Sequence, residues 1–232
     1  MNKIEFIDAV NKKFKNLDPH FFDQIEKYKN IIQEYDQKIS LSNLVSNEKI
    51  YGEYFYESII PYANVDFKND TKLLDIGSGS GIPGIVLKLL YPFISLTIIE
   101  ATAKKANFMK LLVSELNLDN VTILNKRAED IKSFEREQFD IVTSRAVAPL
   151  FAILELSTAY AKIGGLIIQP KSKNFNQELL EAKEIINKLD LQLINQDEFT
   201  SINNYFHHVF YFKKLKKTNE LYPRSWSKIV KK

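Results

Sequence analysis

The chain has no cysteine, one tryptophan, two methionines and three histidines among its 232 residues. Without thiols it forms no disulfide, no cysteine-ligated metal centre and no cysteine adduct with a substrate. No run of about 18 apolar residues occurs, so no transmembrane helix is expected. Met1 to Val10 include Glu5 and Asp8 and lack the apolar stretch of a secretory leader, so a cytoplasmic protein is expected. His207 and His208 are adjacent in a predicted strand and point to opposite faces, with His20 far off in sequence. No metal site is expected from them. The 45% apolar and 26% charged content is that of an ordinary globular protein. Its length suits one large α/β domain with decoration.

Glycine is also scarce, yet four of the seven, Gly77, Gly79, Gly81 and Gly84, fall within eight residues. They follow an apolar run, Leu73-Leu74-Asp75-Ile76, and precede a helical pattern. Bare Cα atoms allow a tight turn and a close ligand approach, and the next helix opens with unpaired N–H groups. This is the form of a nucleotide-like cofactor site. Short β-like runs then alternate with helices. Strands are predicted at 72–76, 95–100, 121–125, 139–143 and 165–169, and helices at 82–91, 103–116, 128–134 and 149–162. A helix at 176–188 and strands at 191–198 and 205–213 complete the body. The alternation predicts right-handed βαβ units and a parallel sheet flanked by helices. Helical spacing over 3–15, 20–37 and 47–62 predicts a helical N-terminal cap over residues 1–66, ahead of a catalytic domain at 67–214.

Gly79-Ser80-Gly81-Ile82-Pro83-Gly84 matches the dinucleotide fingerprint, with Glu100 near the spacing of a ribose-binding acid. Asp75 argues against a dinucleotide, because its carboxylate would face phosphates of like charge. S-adenosylmethionine carries a cationic ammonium and sulfonium instead, which suit an acid beside the loop. Glu100 can take its ribose hydroxyls, and Ala128-Glu129-Asp130 can line an adenine slot. The pattern looks like a class I methyltransferase; a dinucleotide enzyme, or glycines serving only a turn, stay open. The segment Thr143-Ser144-Arg145-Ala146-Val147-Ala148-Pro149 lacks the Asn/Asp-Pro-Pro-aromatic motif of exocyclic-amine methylation. Guanine N7 has a free in-plane lone pair and needs no base, so it is compatible with this site. Arg145, at the carboxyl end of a strand, can hold a phosphate, the cofactor carboxylate or guanine O6.

The charge is lopsided. Residues 213–232 hold eight Lys or Arg against Glu220 alone, a net of +7, so the other 212 residues carry −4 of the chain's overall +3. A basic tail on a mildly acidic body suits a polyanion partner or simple solubility. Tyr222 and Trp226 within it can stack on bases or fold back onto the body.

The motif Leu74-Asp75-Ile76-Gly77-Ser78-Gly79-Ser80-Gly81-Ile82-Pro83-Gly84 resembles that of the bacterial 16S ribosomal RNA guanine-N7 methyltransferase G family, also called glucose-inhibited division protein B. Arg127-Ala128-Glu129, Phe139-Asp140-Ile141-Val142 and Ser144-Arg145-Ala146-Val147-Ala148-Pro149-Leu150 resemble its later motifs, and Lys216-Lys217-Thr218 with Tyr222-Pro223-Arg224 resemble its basic tail, here 215–232. The resemblance implies a Rossmann-like class I methyltransferase with a terminal antiparallel strand. It implies S-adenosylmethionine as cofactor, contacted by Gly77, Ile82, Glu100, Ala128, Glu129 and Arg145, with Asp75, Gly79 and Gly81 in the loop. It implies 16S rRNA, or a small-subunit assembly intermediate, as substrate of a monomer. Lys104, Lys171, Lys216, Lys217 and Arg224 are the expected RNA contacts. The chain departs from the family at Val45, Tyr54, Glu57, Ser172 and Ser225-Trp226-Ser227.

Overall fold

The computed structural model describes residues 1–39, 49–171, 174–200 and 206–231. The expected motif Asn43-Leu44-Val45 and Ser172 lie outside the described residues, as does Lys232. Seven strands form one sheet: β1 (Lys72–Ile76), β2 (Ser95–Ile99), β3 (Val121–Leu124), β4 (Phe139–Ser144), β5 (Ala161–Lys171), β6 (Leu191–Thr200) and β7 (Phe206–Lys214). Their order is β3-β2-β1-β4-β5-β7-β6, parallel from β3 to β5, with β7 antiparallel to both β5 and β6. The order reverses at β1, between β2 and β4. Open α/β sheets bind ligands in the crevice beyond the strand ends at such a point. β1 and β2 read as near-continuous apolar runs because helices cover both faces.

The helices are α1 (Lys3–Lys13), α2 (Phe21–Ile39), α3 (Gly84–Leu90), α4 (Ala103–Glu115), α5 (Leu150–Tyr160), α6 (Phe175–Lys188) and a single turn α7 (Trp226–Ile229). Asn2 and Glu5 form a reciprocal capping box that starts α1. The tyrosine-rich segment is not one regular helix. A π-helical stretch Ile50–Tyr56 passes through an α-helical turn Glu57–Ile59 into a 3-10 turn Ile60–Tyr62. The wider winding turns Tyr51, Tyr54 and Phe55 all inward.

One apolar core joins the N-terminal helices to the sheet. Phe6, Phe21, Tyr28 and Phe55 belong to the same cluster as Leu73, Ile85 and Leu96. A second cluster on the opposite face gathers α5, α6 and the inner residues of β5 and β7, and Tyr222 and Trp226 pack against it. The basic segment therefore folds back onto the body.

The helix predicted at 128–134 does not form. Turns and a short 3-10 turn, Ser133–Glu135, take its place. Ala128 is buried, but Phe134 is 72% exposed, so the segment has no continuous apolar face to bury. The helix predicted from residue 82 begins at Gly84, after a turn that contains a cis Ile82–Pro83 bond. β5 is longer than predicted, running from Ala161 to Lys171. No helix among the described residues is long and apolar enough to cross a membrane.

Candidate active site

The glycine loop is held from three sides. Gly77, Gly79 and Gly81 all have positive φ, which a Cβ would penalise. Below the loop, Asp75 is fully buried and accepts from Ser78 Oγ at 2.5 Å and from the Gly84 amide at 2.9 Å. From the cap, Tyr28 OH donates to the Ser80 carbonyl at 2.6 Å, and Tyr54 OH donates to Ser80 Oγ. At the front, the Gly79 amide donates to Glu100 Oε2 at 3.1 Å while the Thr102 amide donates to Oε1 at 2.8 Å. Tyr54 is thus part of the loop's support.

Burial raises the Asp75 carboxyl to about 7, against hydrogen bonds from Ser78 and Gly84 that favour the anion. Its Oδ1 is buried without a hydrogen-bond partner. The native state therefore keeps a proton that the unfolded chain loses near pH 3.8. The cost is absent below that pH, grows until about pH 7, and is constant above it. Between those limits the wild-type chain should lose up to about 4 kcal/mol of stability relative to Asp75→Asn. Denaturant unfolding of both proteins across this range measures the difference. A difference independent of pH would exclude the shift.

Two cavities open at the carboxyl ends of the strands. The first, of about 350 Å³, is lined by Gly77, Glu100, Ala128, Glu129, Leu156 and Trp226, among others. The second, of about 650 Å³, is lined by Arg145, Ala148, Pro149, Lys171, Glu178 and His207, among others. Ala146 and Val147 line both. Ala146 has φ +56°, unusual for a residue with a Cβ, and it turns the chain sharply after β4.

The structure thus brings four expected cofactor residues, Gly77, Glu100, Ala128 and Glu129, into one cavity. It separates the others. Asp75 acts beneath the loop and organises it. Gly81 and Ile82 face the cap, where a Cβ on Gly81 would lie 2.5 Å from Tyr28 OH. Arg145 lies in the second cavity and donates to the carbonyls of Glu53, at 2.8 Å, and Tyr54, at 3.4 Å. Glu57 is 3.7 Å from both Arg145 and His207. Burial lowers the Arg145 and His207 pKa values.

The expected RNA residues divide similarly. Lys104 is exposed at the start of α4, whereas its neighbour Lys105 lines the first cavity. Lys171 lines the second cavity, donates to the Ala148 carbonyl and pairs with Glu178 at 2.8 Å. Lys216 is exposed, 2.7 Å from Asp190, and Lys217 is exposed. Arg224 is committed elsewhere: it grips both oxygens of the buried Glu155. That pairing gives Arg224 a structural partner, and its side chain is 41% exposed. Lys214 is also buried, bonded to Glu137, Thr158 and Ala161. Removing everything after Phe212 would therefore break the core as well as remove charge.

Lys105, Ala146, Val147, Leu156 and Trp226 were not among the expected cofactor residues. The first is one position from an expected lysine. Trp226 sits 81 residues beyond Arg145, and nothing in its spacing points at the loop.

Residues 22–204 match the family model described as rRNA small subunit methyltransferase G. The chain belongs to that family. A "Ribosomal RNA small subunit methyltransferase G" of Ureaplasma parvum serovar 3 is 45% identical, covering 100% of this chain and 99% of that protein. The protein of the same name from Malacoplasma penetrans is 42% identical, covering 99% of this chain and 98% of its own length. Among solved structures, M. jannaschii TYW2 in complex with AdoMet superposes with a TM-score of 0.53 at 16% identity, over 64% of this chain and 71% of that one. At that identity it speaks to the fold, a Rossmann-like class I methyltransferase architecture.

The donor set of the first cavity fits S-adenosylmethionine. Glu100 presents both carboxylate oxygens at the end of β2, where ribose hydroxyls can donate to them. Ala128, Leu156 and Trp226 supply apolar surface for a base. The Glu100 carboxylate favours a cation and disfavours a pyrophosphate.

Proposed function

We propose that this chain transfers the methyl group of S-adenosylmethionine to N7 of a guanine in 16S rRNA. The observation that carries this reading is the pair of cavities sharing Ala146 and Val147. One has the lining chemistry of a cofactor site. The other has the arginine and lysine of a nucleotide site. Transfer would take place where the two cavities adjoin at Ala146 and Val147, N7 bonding to the methyl carbon as the bond from that carbon to the sulfonium breaks.

Gly77 leaves room for the cofactor, Glu100 holds its ribose, and Ala128 and Glu129 line its base. Gly79 acts through its amide on Glu100, and Gly81 and Ile82 shape the turn. Bound S-adenosylmethionine supplies a methyl carbon already activated on a sulfonium. The protein's share is alignment, worth up to ~7–11 kcal/mol in well-oriented reactions. Guanine N7 offers its lone pair without prior proton removal, so no side chain is assigned as general base. Arg145 and Lys171 flank the acceptor and are suited to O6 or phosphate oxygens. Lys104, Lys216 and Lys217 extend the basic surface toward the RNA backbone. Residues 1–66 cap the catalytic domain, 67–214, and 215–232 form the basic tail. The enzyme acts as a cytoplasmic monomer on rRNA within a partly assembled small subunit.

Binding and mapping test this reading. S-adenosylhomocysteine should bind the purified chain and NADH should not; the reverse would overturn the cofactor. Incubation of undermethylated small subunits and of naked 16S rRNA should place the methyl on one guanine N7. Methylation at another atom would overturn the acceptor.

A further inference from the structure

Trp226 is the chain's single tryptophan. It belongs to the last helical turn, far along the chain from the glycine loop, yet it lines the first cavity together with Ala128 and Leu156. We propose that Trp226 is a cofactor-binding residue, its indole closing the cavity against the adenine of S-adenosylmethionine. This rests on the assignment of the cofactor to that cavity.

The position of Trp226 is built. Arg224, two residues earlier, is bonded by side chain and backbone to Glu155 of α5. Arg136 donates to the carbonyls of Asn219 and Tyr222. Three residues later, Ile229 is buried in the second core. The segment is thus pinned on both sides of Trp226, which is itself half-buried against the same core. Tethers on both flanks fix where the ring can lie.

The rest of the wall selects the moiety. Glu100 and the Gly79 amide beside it form the polar side, suited to ribose. Ala146 and Val147 face the acceptor cavity, so the methyl-bearing end must lie toward them. The other lining residues include the charged Lys105, Lys126, Arg127 and Glu129; among them Ala128, Leu156 and Trp226 give apolar surface that suits a flat heteroaromatic base. A base stacked on an aromatic side chain gains dispersion and loses water from both faces.

Because no other tryptophan exists, the protein's indole emission reports this one ring. Titration with S-adenosylhomocysteine should shift or quench that emission, with the midpoint found by calorimetry. Trp226→Ala should weaken S-adenosylhomocysteine and 5′-methylthioadenosine alike, by about 10-fold, within the roughly 5- to 150-fold range of base–aromatic stacking. Trp226→Phe, which keeps an aromatic face, should stay within about threefold of wild type. Glu100→Ala is measured in parallel. Wild-type affinity in Trp226→Ala with weakened binding in Glu100→Ala would overturn the role of Trp226 alone. Wild-type affinity in Glu100→Ala would overturn the cavity assignment and the proposal with it. Should Trp226→Ala not fold, emission of the wild-type chain left unmoved by saturating S-adenosylhomocysteine would overturn the proposal. So would emission that responds only to rRNA.

Discussion

The Gly77→Val protein is expected to bind no S-adenosylhomocysteine detectable by calorimetry. Gly77 follows β1 with φ +71°, and a Cβ there would lie 2.6 Å from Val147 Cγ2. Left-handed backbone costs a residue with a Cβ about 1–3 kcal/mol, and a branched Cβ is the worst case. The overlap adds to this, since real contacts do not close to 2.6 Å. Relief requires Val147 to move, but Val147 belongs to the wall between the two cavities. The substitution therefore narrows the cofactor cavity from its floor and distorts the acceptor side together. Gly79→Ala is the matched control. Its φ is +63°, yet nothing lies within 4 Å of the added Cβ. It should lose about 1 kcal/mol of stability and keep most of its cofactor affinity. Equal affinity in Gly77→Val and wild type would show that the cofactor sits elsewhere.

The contrast between these glycines shows what was legible in the sequence. Their clustering after an apolar strand pointed to the loop, and the β-like runs of 72–76 and 95–100 pointed to the strands that carry it. Those signals are local: a period, a turn residue, an acid at a strand end. Glu100, Ala128 and Glu129 were legible because each follows the end of a parallel strand, and parallel strands deliver their carboxyl ends to one edge. The roles of Gly77 and Gly81 were not separable in the same way. One faces Val147 and the other faces Tyr28, and both partners lie tens of residues away. Asp75 was legible as an acid beside the loop. Its exclusion from the cavity depends on burial, which Ser78 and Gly84 make tolerable by donating to it. The tail was least legible. Its run of lysines reads as solvated charge, but the contacts that dock it involve Arg136, Glu137 and Glu155, all more than 60 residues earlier in the chain.

Arg224→Ala is expected to act on stability and leave the electrostatic part of RNA binding unchanged. Three side-chain hydrogen bonds join Arg224 to Glu155, whose carboxylate is 1% exposed. Removing the guanidinium leaves that buried carboxylate with the Arg224 amide as its one donor among the described residues. Breaking a wholly buried pair costs about 3–5 kcal/mol. Arg224 is itself 41% exposed, so about 2–4 kcal/mol is expected here. For a chain of this length the melting temperature should fall by roughly 5–15 °C. Adding Glu155→Gln should recover part of the loss, because an uncharged amide is cheaper to bury. Lys217→Ala supplies the opposite signature. Lys217 is exposed, so its loss should barely move the melting temperature. A phosphate contact made by it would lower the log–log salt dependence of RNA binding by about 0.7–0.9. Thermal melts and salt titrations of the two variants separate an anchor from a phosphate ligand. A drop in salt slope for Arg224→Ala with an unchanged melting temperature would make Arg224 a phosphate ligand and not an anchor.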